Sequence, residues 1–234
     1  MIEEVTQNMN DSTHQPRPQP LALRDENIPS ELLGINHWVT WRYEFRNTWT
    51  KPPWKVDAET HASATDPLTW GTFQEARDSY LTKRVDGVGF VLTEDLGIVG
   101  IDLDHCRNRE TEKVQSWAKE IVKELNSYSE VSPSGEGIRV FARGSLPGRG
   151  RKHGNIEIYS TDRYLTLTGH RFKGTPTILE TRQGAINRLY DTLSSNGRKS
   201  PVSQRDSSPP SANDDEILHK AFSARNGGKI QALF

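Results

Sequence analysis

The chain has 234 residues, enough for one α/β domain of good size or two small ones. Its formal charge of −1 lacks the basic excess of a general nucleic-acid binder, so any such role must rest on local clusters. A single cysteine, Cys106, excludes an internal disulfide, and no apolar run approaches the roughly 18 residues of a membrane span.

Residues 1–26 are polar, with Pro16, Pro18 and Pro20 close together, and are expected to stay flexible. They contain no basic-then-apolar signal pattern, so a soluble cytoplasmic protein with no membrane partner is expected. Order is expected to begin with a short helix over Pro29 to Leu33, capped by Ser30. The aromatic, β-prone run His37 to Phe45 predicts a strand. A turn at Arg46 to Thr48 leads to a second strand from Trp49, stopped by Pro52 and Pro53. Residues 63–71 read as a loop, and Thr72 with Glu75 forms a capping box for a helix reaching Tyr80.

Val88 to Leu92 and Ile98 to Asp104 read as strands, and the short link between them predicts an antiparallel hairpin. Over Glu112 to Leu125, the apolar positions Val114, Trp117, Ile121, Val122 and Leu125 form a helical stripe. Strands follow at Tyr128 to Val131 and Ile138 to Ala142, a basic loop at Leu146 to Gly154, then strands at Asn155 to Ser160 and Tyr164 to Thr168. A helix is expected from about Thr177 to Leu193, interrupted or begun again near Gly184. Residues 195–213 have the Ser, Pro and Asn content of a linker, and 214–234 resume a helical pattern. The fold class is therefore α/β (α+β), with mixed or antiparallel sheets flanked by helices and the main domain over 27–194.

The stretch Gly97-Ile-Val-Gly-Ile-Asp-Leu-Asp-His105 ends a buried strand in charge. Alternation points Asp102 and Asp104 to one face, with Gly100 leaving room beside them. In Asn155 to Ser160 the same rule puts Glu157 and Tyr159 on one face. If the two strands are neighbours, three carboxylates converge. A hard cation, Mg²⁺ or Mn²⁺, relieves such repulsion, and a pair of ions roughly 4 Å apart can activate a 3′-hydroxyl and stabilise a departing pyrophosphate. An Asp-x-Asp pair also occurs at solvated strand edges and in sugar-nucleotide transferases, so it does not choose a reaction alone. The loop Ser132-Pro-Ser-Gly-Glu-Gly137 offers hydroxyls and, at Gly135 and Gly137, close backbone approach to an anion; Arg139 follows it with a planar donor fork. An ordinary Ser/Gly turn has the same composition. Cys106 beside His105 does not make a zinc site without a second cysteine.

The ordered set of an Asp-x-Asp strand, a Ser-x-Ser-Gly-x-Gly-x-basic loop and a strand with a lone Glu resembles the archaeo-eukaryotic primase superfamily. The likeness is specifically to the primase-polymerase domains of phages and plasmids. Trp38-x-x-Trp-Arg42, Lys51-Pro-Pro-Trp54, Ser63-x-x-Asp-Pro67 with Trp70, and Gly87-Val-Gly-Phe90 extend the likeness over about residues 37–172. The resemblance implies a primase-polymerase fold with an RRM-like catalytic half, in which Asp102, Asp104 and Glu157 bind two Mg²⁺ or Mn²⁺ ions. It implies dNTP or NTP substrates held by Ser132, Ser134, Gly135, Gly137 and Arg139, with Tyr159, Arg163, Tyr164 and Thr168 near the incoming nucleotide. Many relatives carry His where this chain has Arg139. Arg cannot give up a proton at neutral pH, so an acid role would fall elsewhere, with His105 or His153 as candidate donors.

Two basic clusters are candidate contacts for a single-stranded DNA template and primer: Arg149, Arg151, Lys152 and His153, and Lys51 with Trp54. The tail 214–234 resembles the start of the helical bundle that follows such catalytic domains, in a longer chain that also carries a helicase domain. The expected function is a DNA primase-polymerase replicating a phage or plasmid-like element in the host cytoplasm. The alternatives are a metal-dependent nuclease or non-templated nucleotidyl transferase, or a non-catalytic strand- or origin-binding module.

Overall fold

Side-chain alternation in two antiparallel sheets decides which residues reach the space between them. A computed structural model of the chain describes residues 16–195. In it helices flank antiparallel sheets in a mixed α/β arrangement. The strands are β1 (Trp38–Trp41), β2 (Glu44–Arg46), β3 (Thr48–Thr50), β4 (Pro53–Trp54), β5 (Gly87–Leu92), β6 (Ile98–Leu103), β7 (Ser129–Val131), β8 (Ile138–Arg143), β9 (Arg151–His153), β10 (Ile156–Tyr159) and β11 (Arg163–Leu167). The helices are α1 (Ser30–Leu33), α2 (Phe73–Leu81), α3 (Ser116–Leu125) and α4 (Gln183–Ser195). One sheet has the order β11-β5-β1-β4, the second β7-β8-β6-β10-β9, and β2 and β3 form a separate hairpin.

One face of the second sheet, through Val99, Ile101, Leu103, Val140 and Ile158, packs on the apolar stripes of α3 and α4. Its other face joins the first sheet in a second core where Ile98 and Phe141 meet Phe90, Leu92 and Leu165. The sheets approach closely at Gly100, where a Cβ would stand 2.3 Å from Leu165 Cδ1. The space expected beside the aspartates is therefore filled by Leu165. The Thr72–Glu75 capping box opens α2 as expected.

Several expectations change. β5 and β6 are not a hairpin: a 3-10 turn at Glu94–Leu96, closed by Gly97 at φ 58°, carries the chain from one sheet to the other. Pro29, not Ser30, occupies the cap position of α1, with no side-chain cap bond. The expected strand from Trp49 divides: β3 stays in the hairpin, while β4 pairs with β1 at the sheet edge, where the missing N–H of Pro53 is tolerated. Part of the expected basic loop is the edge strand β9, paired with β10. The last helix begins at Gln183, at the restart expected near Gly184 and not near Thr177, and α3 begins at Ser116, leaving Val114 in a bridge to Arg107.

The expected flexible segment is fastened from residue 17 onward. Leu21 N–H donates to Pro133 O at 2.9 Å, Arg24 N–H donates to Thr168 O at 2.8 Å, and Arg17 pairs with Asp86 at 2.6 Å. Backbone donors and acceptors, invisible to composition, hold this strap across the two halves. The first fifteen residues, most of the expected linker and the tail 214–234 lie outside the described residues. Among the described residues no helix is long and apolar enough to cross a membrane.

Candidate active site

The central pairing of the second sheet brings the acids together. β10 runs antiparallel to β6 with Glu157 directly opposite Asp102, so both carboxylates project from one face. Asp104 follows two residues after Asp102, and its N–H still donates to Asn155 O at 2.8 Å, continuing the ladder. Burial, then the charges of Asp102 and Glu157, push the Asp104 carboxyl above its ordinary range. The three acids thus share one electrostatic field.

Basic side chains lie against the acids and offset that field. Arg139, opposite Asp102 on β8, donates to Asp102 Oδ2 from Nε at 3.1 Å and from Nη2 at 3.0 Å. Lys152, opposite Glu157 on β9, pairs with Glu157 Oε1, and Tyr159 Oη donates to Glu157 Oε2 at 2.9 Å. Burial raises the Glu157 carboxyl, but the bonds from Lys152 and Tyr159 outweigh it and leave it below its ordinary value. Among the described residues no group of three or more His, Cys, Asp or Glu is arranged to hold a metal. The expected convergence is therefore one of face and field, with Arg139 paired to Asp102 and Lys152 to Glu157. The donor set fits a hard cation in one respect: Asp102 Oδ1 is buried with no hydrogen-bond partner among the described residues, an orphaned anionic oxygen on the acidic face.

The Ser-Gly loop lies beside the turn that follows the acids. Arg107 N–H donates to Glu136 O at 2.9 Å and its guanidinium to Gly135 O at 2.6 Å. Within the loop Ser132 Oγ accepts from Gly137 N at 3.0 Å and lies 3.1 Å from Ser134 Oγ. Gly135 takes φ 79°, and a Cβ at Gly137 would stand 2.8 Å from Leu103 O, so both glycines are sterically required. Arg109 packs over Gly135 and donates to Gln19 O of the N-terminal strap at 3.0 Å.

The other expected contacts divide. Arg163 lies over the Tyr159 ring at 4.3 Å and donates to Tyr159 Oη at 2.7 Å, on the Glu157 side. Tyr164 bonds Lys51 O, and burial raises its phenol. The Lys51 ammonium is lowered by burial and by Arg139, against the pull of Asp102 and Asp104, which places it in the same field. Thr168 is buried, with Oγ1 donating to Val131 O at 2.7 Å, a structural bond. Trp54 is buried under Arg42, whose guanidinium lies 3.4 Å from its ring centroid, and so offers no open face to a base. Alternation splits the basic cluster: Lys152 reaches the acids, whereas Arg151 turns to Tyr190 of α4 at 4.5 Å. Arg149 is exposed, His153 is half-buried opposite Ile156, and His105 is exposed at φ 51°.

Two further residues support the site. Glu130 is fully buried and accepts from Tyr128 Oη, Thr168 N and Gly169 N, each at 2.9 Å. Thr166 anchors the Arg139 guanidinium. A lone charge inside the otherwise uncharged strand of Tyr128 to Val131 was the available signal for Glu130, the same anomaly as Asp102.

No family model matches the chain. It is 39% identical over 156 residues to a protein of Nitratiruptor phage NrS-1 described as a DNA primase-polymerase. The chain is similar to a phage DNA primase-polymerase. The match takes in 64% of the chain but only 21% of the phage protein's length. That likeness agrees with the resemblance carried by the ordered motifs.

Proposed function

We propose that the chain is the catalytic part of a DNA primase-polymerase, performing template-directed nucleotidyl transfer onto a primer, with de novo primer synthesis as a further activity. The observation that carries this reading is the register that sets Glu157 opposite Asp102, in a chain 39% identical over 156 residues to a phage primase-polymerase. Asp102, Asp104 and Glu157 serve as the ligands for Mg²⁺ or Mn²⁺. When bound, such ions neutralise triphosphate charge and favour ionisation of the primer 3′-hydroxyl.

The protein contributes positioning and fixed charge. The Ser132–Gly137 loop presents hydroxyls and backbone to the triphosphate, flanked by Arg109, and Lys51 lies in the same electrostatic field as the acids. Tyr159 and Arg163 border the sugar and phosphates from the Glu157 side. Lys152, freed from Glu157, and Arg149 follow the single-stranded template or primer backbone. Substrates are dNTPs or NTPs. A helicase domain in a longer chain and replication of a phage or plasmid-like element in the host cytoplasm complete the reading.

A labelled primer–template incubated with Mn²⁺ or Mg²⁺ and dNTPs or NTPs tests it. Lengthened products that follow the template are expected. Shortened primer would instead identify a nuclease, and strand binding without product a non-catalytic module; either overturns the proposal.

A further inference from the structure

The two carboxylate oxygens of Asp102 have different fates. Oδ2 receives two N–H bonds from Arg139, at 3.1 and 3.0 Å, whereas Oδ1 is buried without a partner. Arg139 is itself immobilised. It is 4% exposed, and its Nη1 donates to Thr166 Oγ1 and, at 3.4 Å, to Thr166 O. On its far side β7 places Glu130 directly opposite it, and Glu130 is pinned by three donors. A guanidinium enclosed in this way, with four of its five N–H donors given to Asp102 and Thr166, is poorly placed to reach out to a triphosphate.

We infer that Arg139 is a positioning residue for Asp102 and not a phosphate grip. Its planar fork fixes the rotamer of Asp102, saturates Oδ2 and leaves Oδ1 as the donor for a divalent cation. Its charge also offsets the mutual repulsion of the acids while no cation is bound. Lysine in its place retains the charge but cannot bridge Asp102 and Thr166 with a rigid fork. The chain thus assigns to this strand position a ligand-orienting task, and the triphosphate must find its cations elsewhere in the cleft. The inference rests on the metal-binding reading of the acids.

The test measures Mn²⁺ binding by electron paramagnetic resonance and, separately, binding of inorganic triphosphate without divalent ions by calorimetry. The proteins are the wild type, Arg139→Gln, Arg139→Lys and Thr166→Val, each checked for folding by circular dichroism. Arg139→Gln is expected to weaken Mn²⁺ binding roughly 10- to 100-fold, the usual effect of removing an outer partner of a metal ligand. Arg139→Lys and Thr166→Val should show smaller losses, and metal-free triphosphate binding should be unchanged in all three. If Arg139→Gln fails to fold, the other two variants decide. Unchanged Mn²⁺ affinity in the folded variants overturns the inference, as does loss of triphosphate binding with Mn²⁺ binding kept. A wild type that binds no Mn²⁺ overturns the reading of the acids and this inference with it, whereas the preceding outcomes overturn the inference alone.

Discussion

Replacing Glu130 with Gln removes the charge at the hub that ties the second sheet to the end of β11 while keeping the side-chain shape. The carboxylate is fully buried and accepts from Tyr128 Oη, Thr168 N and Gly169 N, each at 2.9 Å. A Gln has only one acceptor oxygen, so at least one of the three donors loses its partner, and the new amide N–H₂ faces donors. Two orphaned polar groups at about 1–3 kcal/mol each give a loss of roughly 2–6 kcal/mol. For a domain of this size that lowers the melting temperature by on the order of 10 °C. Burial holds the Glu130 carboxyl above its ordinary value despite the lowering bonds from Gly169, Thr168 and Tyr128, and the same experiment reports whether the group is still ionised at neutral pH. Thermal unfolding followed by circular dichroism at neutral pH measures the effect. A variant melting within about 2 °C of the wild type would refute the reasoning, because it would mean a protonated carboxyl that Gln can imitate.

Asp104→Asn should stabilise the metal-free protein at neutral pH. The folded Asp104 carboxyl lies above its ordinary value, through burial and then the charges of Asp102 and Glu157. Its contribution to stability is therefore complete below that ordinary value and is lost as the pH rises through the folded one. The melting-temperature advantage of the variant should grow between pH 4 and pH 7.5, and a wild type that gains on the variant over that range would contradict the assignment. Gly100→Val would press against Leu165 Cδ1, 2.3 Å from the position of a Cβ, and against Leu92 Cδ1 at 3.0 Å. Overpacking there should cost about 1–3 kcal/mol in urea unfolding, and an unchanged midpoint would show that the sheets can separate freely. Trp54→Ala should lower stability by about 3–5 kcal/mol, since the ring is buried; weaker DNA binding at full stability would instead restore a base-stacking role.

Local signals were legible where one interaction dominates. The Thr72–Glu75 box and the α3 stripe each depend on residues within one or two turns, and alternation placed Glu157 and Tyr159 on a common face, as the observed bond between them reflects. Long-range choices were not legible. β5 is buried along its whole length, so its pattern says nothing about which sheet it joins, and the short link to β6 was compatible with a sheet change once Gly97 took a left-handed conformation. The charged Arg151–His153 forms a strand because an edge tolerates charge, at one face Lys152 meeting Glu157. At the site, residue types indicated acids and bases in one region, but whether Arg139 meets a phosphate or Asp102 depends on strand register, and register is set by the whole sheet.

The most direct test of the account is a crystal of the protein soaked with Mn²⁺ and a nucleoside triphosphate, with anomalous diffraction recorded at the manganese edge. The account predicts an anomalous peak in contact with Asp102 Oδ1 and with the carboxylates of Asp104 and Glu157, and with Lys152 withdrawn from Glu157. A peak elsewhere, or ordered nucleotide with the Lys152–Glu157 pair intact and no manganese beside Asp102, would contradict it.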